Sequence, residues 1–486
     1  MIPLLPPGRC CGAMAYDARD GYTLLFGGGN GPCGVFCNDT WAFNGTDWVR
    51  IATPVAPSPR QWPMMTYDPF DGYVLLFGGV ASDGVTPLAD TWAFSGGRWQ
   101  LISEQGGPAP RWAGGMAADL NDGYVLLFGG FAGAPQFYRD SWGYSHGHWT
   151  SLVPLRSPPP RWTPLLATDP AEGGVILYGG FNQNEGFLAD TWDFSNGSWT
   201  QTYPANYPPP REKGMIAFDP VVGGPVLFGG DVCPTGCTNA SSVRSLNDTW
   251  VLVNGSWSSV SSPGYPEAQW GEMLSFDWTL GSAVLLGEDG THGRNSTVWL
   301  LSPAHAPPRL QVVAASAVPL IVALGTPATF VAAGVPEVGK LSFTYRDLPS
   351  GCLNLSIPLL SCSPSVLGIY TVRLAIEDGA SSSGWLNVTF SVVPSRPPPP
   401  SPPPTGPGFP WDGAALLVLS VAVILVILLH PRTRRRLRGS GRRPSSERKD
   451  PHDGRVGSAP PSGTQGGLAD PPTPARPPAD PGTSEP

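Results

Sequence analysis

Two nine-residue stretches of this chain are identical: DGYVLLFGG runs from Asp71 to Gly79 and again from Asp122 to Gly130, 51 residues later. Looser copies flank them, DGYTLLFGG at Asp20–Gly28, EGGVILYGG at Glu172–Gly180 and VGGPVLFGG at Val222–Gly230, and LGSAVLLGE at Leu280–Glu288 is a worn sixth. Self-similarity at a period of about fifty residues marks a repeat architecture, in which each unit is one supersecondary element that needs its neighbours to bury its apolar face.

Within each unit the order is constant. A proline-rich approach ends in arginine (PSPRQW, PAPRWA, PPPRWT, PPPREK), and Arg9, Arg60, Arg111, Arg161 and Arg211 stand 51, 51, 50 and 50 residues apart. A short apolar run, a glycine-containing turn and the glycine-pair strand follow. A variable loop leads to DTWAF, DSWGY, DTWDF or DTWVL, then a short turn (NGTD, SGGR, SNGS, NGS) and a second tryptophan. Four short β-branched or aromatic runs punctuated by Gly, Asn and Pro read as hairpin-linked strands. The Asn-Gly and Gly-Gly steps supply the positive φ that two-residue hairpin turns require. Four antiparallel strands per repeat predict a β-propeller blade.

These units resemble the kelch repeat family, which places a glycine pair at the end of the second strand, then an aromatic residue, then a tryptophan about seven positions on. The pairs Gly27–Gly28, Gly78–Gly79, Gly129–Gly130, Gly179–Gly180 and Gly229–Gly230 match it, as do Trp41, Trp92, Trp142, Trp192 and Trp250. Trp48, Trp99, Trp149, Trp199 and Trp257 occupy the second position, and the tryptophans are expected to fill the space between blades. The sixth unit keeps Trp299 but carries Gly287–Glu288 in place of the pair and stops short of a fourth strand. Ile2–Leu5 is placed to supply that strand, which makes six blades over residues 1–305; residues missing upstream would allow a seventh.

Residues 309–394 carry period-two runs without glycine pairs, as in KLSFTYRD and GIYTVRLAIEDG. The segment around Cys352, Cys362, Gly368, Tyr370 and Val372 is similar to the PKD/immunoglobulin-like sandwich modules of archaeal surface proteins, which implies a spacer or adhesive unit. Residues 395–411 are a proline-rich stalk, extended as polyproline II. Gly413–Leu429 is a run of 17 residues without a charge, followed by seven arginines between Arg432 and Arg443. It reads as a single transmembrane helix, 412–430, with Trp411 at its outer boundary and residues 431–486 as a disordered basic cytoplasmic tail. The expected fold is therefore all-β, a six-bladed kelch-type propeller followed by a sandwich, a membrane helix and a tail.

Charge and cysteine usage agree with a cell-membrane, single-pass location, propeller outside. Residues 1–429 hold 18 Lys and Arg against 31 Asp and Glu, a balance of −13, and the remainder holds 11 against 6, or +5. An acidic body is poor material for nucleic-acid binding. Nine Asn-x-Ser/Thr acceptors (Asn38, Asn44, Asn196, Asn239, Asn247, Asn254, Asn295, Asn354, Asn387) all precede the apolar run. So do all eight cysteines, and Cys33 with Cys37, Cys233 with Cys237, and Cys352 with Cys362 read as local disulfides. Zinc in the two C-x3-C loops is disfavoured because no histidine lies nearby, and the pairing of Cys10 and Cys11 stays open. The opening MIPLLPPGRCCG has no basic, apolar leader, so a late start or a fragment is expected.

Chemistry is sparse. His146 and His148 in SHGHW replace SGGRW and SNGSW of sister units and read as a turn variant. No phosphate loop, G-x-S-x-G or H-E-x-x-H occurs. Neither a catalytic residue, a metal nor a cofactor is expected; Glu104, Glu185, Glu212 and Asp231 are the carboxylates that a central glycan-cleaving site would need. The remaining expectation is a binding module for an extracellular protein or glycan, presented by loops on a rigid scaffold. Its candidate ligand face holds Arg60, Trp62, Arg111, Trp112, Arg161, Trp162 and Arg211; these Arg and Trp read first as residues that bind neighbouring blades and second as a rim for acidic or carbohydrate ligands.

Overall fold

Tyr73–Ala81, which contains the diagnostic stretch, pairs antiparallel with Met64–Asp68 on one side and Pro87–Ser95 on the other, and Arg98–Ser103 completes the sheet. The same four-strand order recurs in Ala13–Ile51, Gly115–Leu152, Leu165–Thr202 and Met215–Val260. The sixth sheet has three strands, Met273–Asp277, Ser282–Glu288 and Ser296–Leu301. The chain is described here by a computed structural model over residues 5–29, 36–103, 106–169, 173–233, 243–260, 271, 273–288, 296–301, 311–337 and 339–395. The proposed closing strand, Ile2–Leu5, falls almost wholly outside these residues, as do the segments 396–411, 412–430 and 431–486. Among the described residues no helix is long and apolar enough to cross a membrane.

The first strands of the six sheets lie side by side in chain order, and the sixth, Met273–Asp277, lies against the first, Ala13–Asp17. The arrangement is propeller-like. The hairpin chemistry is the expected one: Gly96–Gly97, His146–Gly147, Asn196–Gly197 and Asn254–Gly255 all have positive φ at both positions.

Tryptophans join neighbouring sheets. Trp99, Trp149, Trp199 and Trp257 each meet the aromatic ring that precedes the glycine pair of the previous sheet (Phe26, Phe77, Phe128, Tyr178), at centroid distances of 5.0, 5.2, 5.0 and 5.2 Å. Each indole N–H also donates backwards, to Thr40, Thr91, Ser141 and Thr191. The acceptor is always the residue just before the first tryptophan. In the sixth sheet that residue is Val298, and Trp48 Nε1 is buried with no hydrogen-bond partner. Val298 packs in the same cluster as Trp48. A Val298→Thr substitution is therefore expected to raise the unfolding free energy by about 1 kcal/mol, the net worth of one buried hydrogen bond, measured by urea unfolding. An unchanged or lowered midpoint would contradict that account.

Residues 311–393 form two facing sheets, Gln311–Val318 with Ala328–Val335 and Leu359–Cys362, and Ile321–Ala323 with Leu386–Val393, Gly368–Glu377 and Ser342–Arg346. Phe330 and Phe390 meet edge to face at 5.4 Å in the shared core, and Cys352 is bonded to Cys362. Cys37 and Cys233 are also disulfide-bonded; their expected partners, Cys33 and Cys237, lie outside the described residues.

The two-sheet domain is no loose spacer. It sits against the end of the propeller-like array of sheets where first strands turn into second strands. Lys340 Nζ donates to Gly21 O at 3.2 Å and Leu341 N to Thr279 O at 2.9 Å. Val318, Val331 and Ala333 join the same core cluster as Leu120, Phe276 and Trp278. Leu359 reaches the lining of the central cavity. One mouth of the channel is thus covered by the chain itself.

Candidate functional site

The opposite mouth is built by the residues that follow each repeat arginine. The arginines come first, because they set everything else. Arg60, Arg111, Arg161 and Arg211 are fully buried, and Arg9 nearly so. Each guanidinium grips the aspartate before the first tryptophan in two places: Arg60 holds Asp90 at 2.7 and 2.7 Å, and Arg161 holds Asp190 at 2.7 and 2.7 Å. Arg111 and Arg211 do the same with Asp140 and Asp248, and Arg9 with Asp39. The same nitrogen donates to the first carbonyl of the glycine pair, as Arg161 does to Gly179 O at 2.9 Å. The aspartate also accepts from the indole N–H two residues on, Trp192 donating to Asp190 at 2.6 Å. Burial alone would raise these carboxyls, but the facing guanidinium outweighs it and Asp39, Asp90, Asp140, Asp190 and Asp248 are held below the usual range.

The glycine pair is needed here for contact between sheets. Gly79 N donates to Arg111 O and Gly130 N to Arg161 O, each at 2.9 Å, across to the next sheet. A Cβ on Gly78 would stand 2.5 Å from Arg111 O, and both glycines have positive φ. The arginines are accordingly staples within a sheet and anchor points between sheets. Arg60, Arg111, Arg161 and Arg211, expected as ligand-face candidates, have no guanidinium surface to offer; the structural alternative describes them.

Two residues past each arginine the backbone turns left-handed. Cys11, Trp62, Ala113, Thr163 and Lys213 have φ of 66, 53, 52, 45 and 54°, and Gly271 has 77°. Their amides form a collar: Cys11 N donates to Gly271 O, Trp62 N to Cys11 O, Ala113 N to Trp62 O and Thr163 N to Ala113 O, at 2.9, 2.7, 3.1 and 2.6 Å. Such strain often marks function, but its recurrence from sheet to sheet makes it part of the frame.

The position just after the arginine is the one that changes. It faces the residue after the glycine pair: Cys10 with Gly29, Gln61 with Val80, Trp112 with Phe131, Trp162 with Phe181, and Glu212 with Asp231. The frame repeats while this row takes four different pairings in five sheets, Trp with Phe occurring twice, which is how a recognition surface on a rigid scaffold is written. Trp112, Phe131 and Trp162 stack edge to face at 5.1 and 5.5 Å, and Phe137, Phe181 and Phe187 extend the strip. Trp112 is buried, whereas Phe131, Phe137, Trp162, Phe181 and Phe187 are half-buried. The strip ends in a charged knot. Lys213 Nζ lies 3.0 Å from Glu212 and 3.2 Å from Asp231, Trp162 Nε1 donates to Glu212 at 2.6 Å, and Ser245 Oγ to Asp231 at 2.8 Å. Burial pushes Glu212 up despite the lysine, and the two carboxylates hold Lys213 above its ordinary value despite burial.

Inside the collar lies a pit of about 180 Å³ walled by Gly12, Pro63, Met64, Gly114, Pro164, Met215 and Met273 among others. Behind it, a cavity of about 240 Å³ ends at Tyr16, Tyr67, Trp278 and Leu359. Neither lining contains a carboxylate. Of the candidate carboxylates, only Glu212 and Asp231 come together; Glu185 is exposed and Glu104 lies outside the described residues. Among the described residues no cluster of His, Cys, Asp and Glu could hold a metal ion. His146 is an exposed turn residue whose Nδ1 stands 2.7 Å from Asp71. Sequence reading missed Lys213, Phe131 and Phe181. Setting the repeats in columns and seeking the column that varies would have found them.

No family model matches the chain, and no curated protein does. Among solved structures, that of YjhT is similar over 62% of this chain and 99% of its own, with 13% identity and a TM-score of 0.45.

Proposed function

We propose that this chain is a membrane-anchored cell-surface protein that presents a six-bladed kelch-type propeller, backed by a PKD/immunoglobulin-like domain, for non-catalytic recognition of an extracellular glycan or protein. The observation that carries the reading is the contrast at the open mouth: a frame of Arg, Asp, Trp and glycine pair repeated in five units, around a row that reads Cys-Gly, Gln-Val, Trp-Phe, Trp-Phe and Glu-Asp. The covered opposite mouth directs ligands to this face. A glycan hydrolase or lyase would instead need carboxylates lining the centre. The pit and cavity are walled mostly by apolar residues, with Tyr, Thr and Ser but no carboxylate among the rest, and Glu212 and Asp231 are bridged by Lys213, which favours binding over cleavage.

The sequence supplies the outside location. Seven of the nine glycosylation acceptors are described (Asn38, Asn44, Asn196, Asn247, Asn254, Asn354, Asn387) and every one is exposed, as attachment of a sugar requires. The test has two arms. Surface labelling of cells expressing the full chain with tags at either end should reach the N-terminal tag and spare the C-terminal one. The purified full chain should bind members of an immobilised glycan or surface-protein panel without altering them. Labelling of the arginine-rich end alone, or release of a cleaved sugar, would overturn the proposal.

A further inference from the structure

Resting on the glycan-binding reading above, we infer that the open mouth takes an uncharged sugar ring and discriminates against acidic glycans. Recognition of a carboxylate or sulfate calls for a guanidinium or ammonium free to face it. The five repeat arginines cannot serve, since each is buried and held at two points by its own aspartate. Lys213 stands in the collar beside the row, but between Glu212 and Asp231, so its ammonium is already taken by two carboxylates. An anion there would meet like charge in a partly desolvated setting, where repulsion is strongest.

What the mouth does offer suits a neutral ring. Phe131, Trp162 and Phe181 present half-buried aromatic surface for the apolar face of a pyranose. Glu212 and Asp231 next to them are acceptors, and hydroxyl groups are donors. No charged side chain lines the pit inside the collar. At about 180 Å³ it is smaller than the pockets that enclose drug-sized ligands, so a terminal ring enters and the row around it makes the remaining contacts. Among the described residues, exposed cations beside this face include Arg139 and Arg156 on loops and Arg244 at the start of a strand, all outside the row.

The experiment is binding of the purified full chain to paired neutral and acidic glycans, the acidic set bearing sialyl, uronyl or sulfate termini, at low and high salt. The expected result is binding to a neutral terminus that salt leaves unchanged and that Phe181→Ser weakens about tenfold, or 1.4 kcal/mol. If Phe181→Ser does not fold, the panel and the salt series still decide. Preference for acidic termini, lost in salt or in Arg244→Ala, would overturn the inference and leave the glycan reading standing. Binding to no glycan of either kind would overturn both.

Discussion

Arg161→Ala is expected to destabilise residues 1–398 by about 3–5 kcal/mol in urea unfolding, the range for stripping one partner from a buried ion pair. The reason is local. Removing the guanidinium leaves Asp190, already short of solvent, with Trp192 and its own backbone N–H as donors, and leaves Gly179 O without its side-chain partner. It also opens a gap beneath the carbonyl to which Gly130 of the preceding sheet donates. Asp190→Asn should cost less, because an amide can still accept one guanidinium hydrogen bond, and the double variant should cost less than the sum of the singles. A surface arginine reserved for a ligand would behave differently, with stability within about 0.5 kcal/mol of the parent and only binding affected. The measurement therefore separates the staple from the rim.

That result would also mark where sequence reading reached its limit. The repeat, its strands, the glycine pairs and the packing tryptophans were legible because each recurs at a fixed spacing, and recurrence is information that a single chain carries about itself. The role of the arginine was harder to read: an Arg-Trp pair in a loop looks like an exposed recognition element unless the aspartate 29 to 37 residues later is known to fold back onto it. The indole acceptors were visible in principle, as the Thr or Ser before each first tryptophan, yet nothing in the spacing says that the partner belongs to the next unit. Docking of the two-sheet domain was not legible at all. Leu359, Val318 and Lys340 have no periodic signature, and their contacts with Gly21, Thr279 and the cavity floor depend on matching two curved surfaces far apart in sequence.

Raising the pH from about 5 to about 8.5 is expected to weaken the six-sheet array, against the usual direction for an acidic protein, through the aspartates that close the first strands. Asp17, Asp68 and Asp119 each cap the following turn with Oδ1, Asp68 accepting from Phe70 and Asp71 amides, while Oδ2 is buried and meets no donor. Burial raises Asp68 to about 8 and Asp17 to about 7, with Asp71 and Asp20 adding like charge; Asp119, next to Asp122, is raised for the same reasons. A carboxyl whose folded value exceeds its unfolded value near 3.8 favours the fold fully at low pH and loses that contribution as pH climbs to the folded value. For Asp68 alone, a rise from 3.8 to about 8 corresponds to about 5 kcal/mol. The paired aspartates such as Asp190 pull the other way, but only below about pH 4, so stability should peak near pH 4–5 and fall through 7–8. One substitution tests the cause. In the first sheet Thr23 donates to Asp277 Oδ2 of the sixth at 3.4 Å, and the equivalent residues of the next three sheets are Val74, Val125 and Val175. Val125→Thr should give Asp68 the donor it lacks and lower its titration midpoint. The alkaline loss should shrink with it, whereas Asp68→Asn should remove the Asp68 share altogether. A flat urea midpoint between pH 5 and 8.5 in the parent, or an alkaline loss unchanged in Asp68→Asn, would place these carboxyls among ordinary ionised groups.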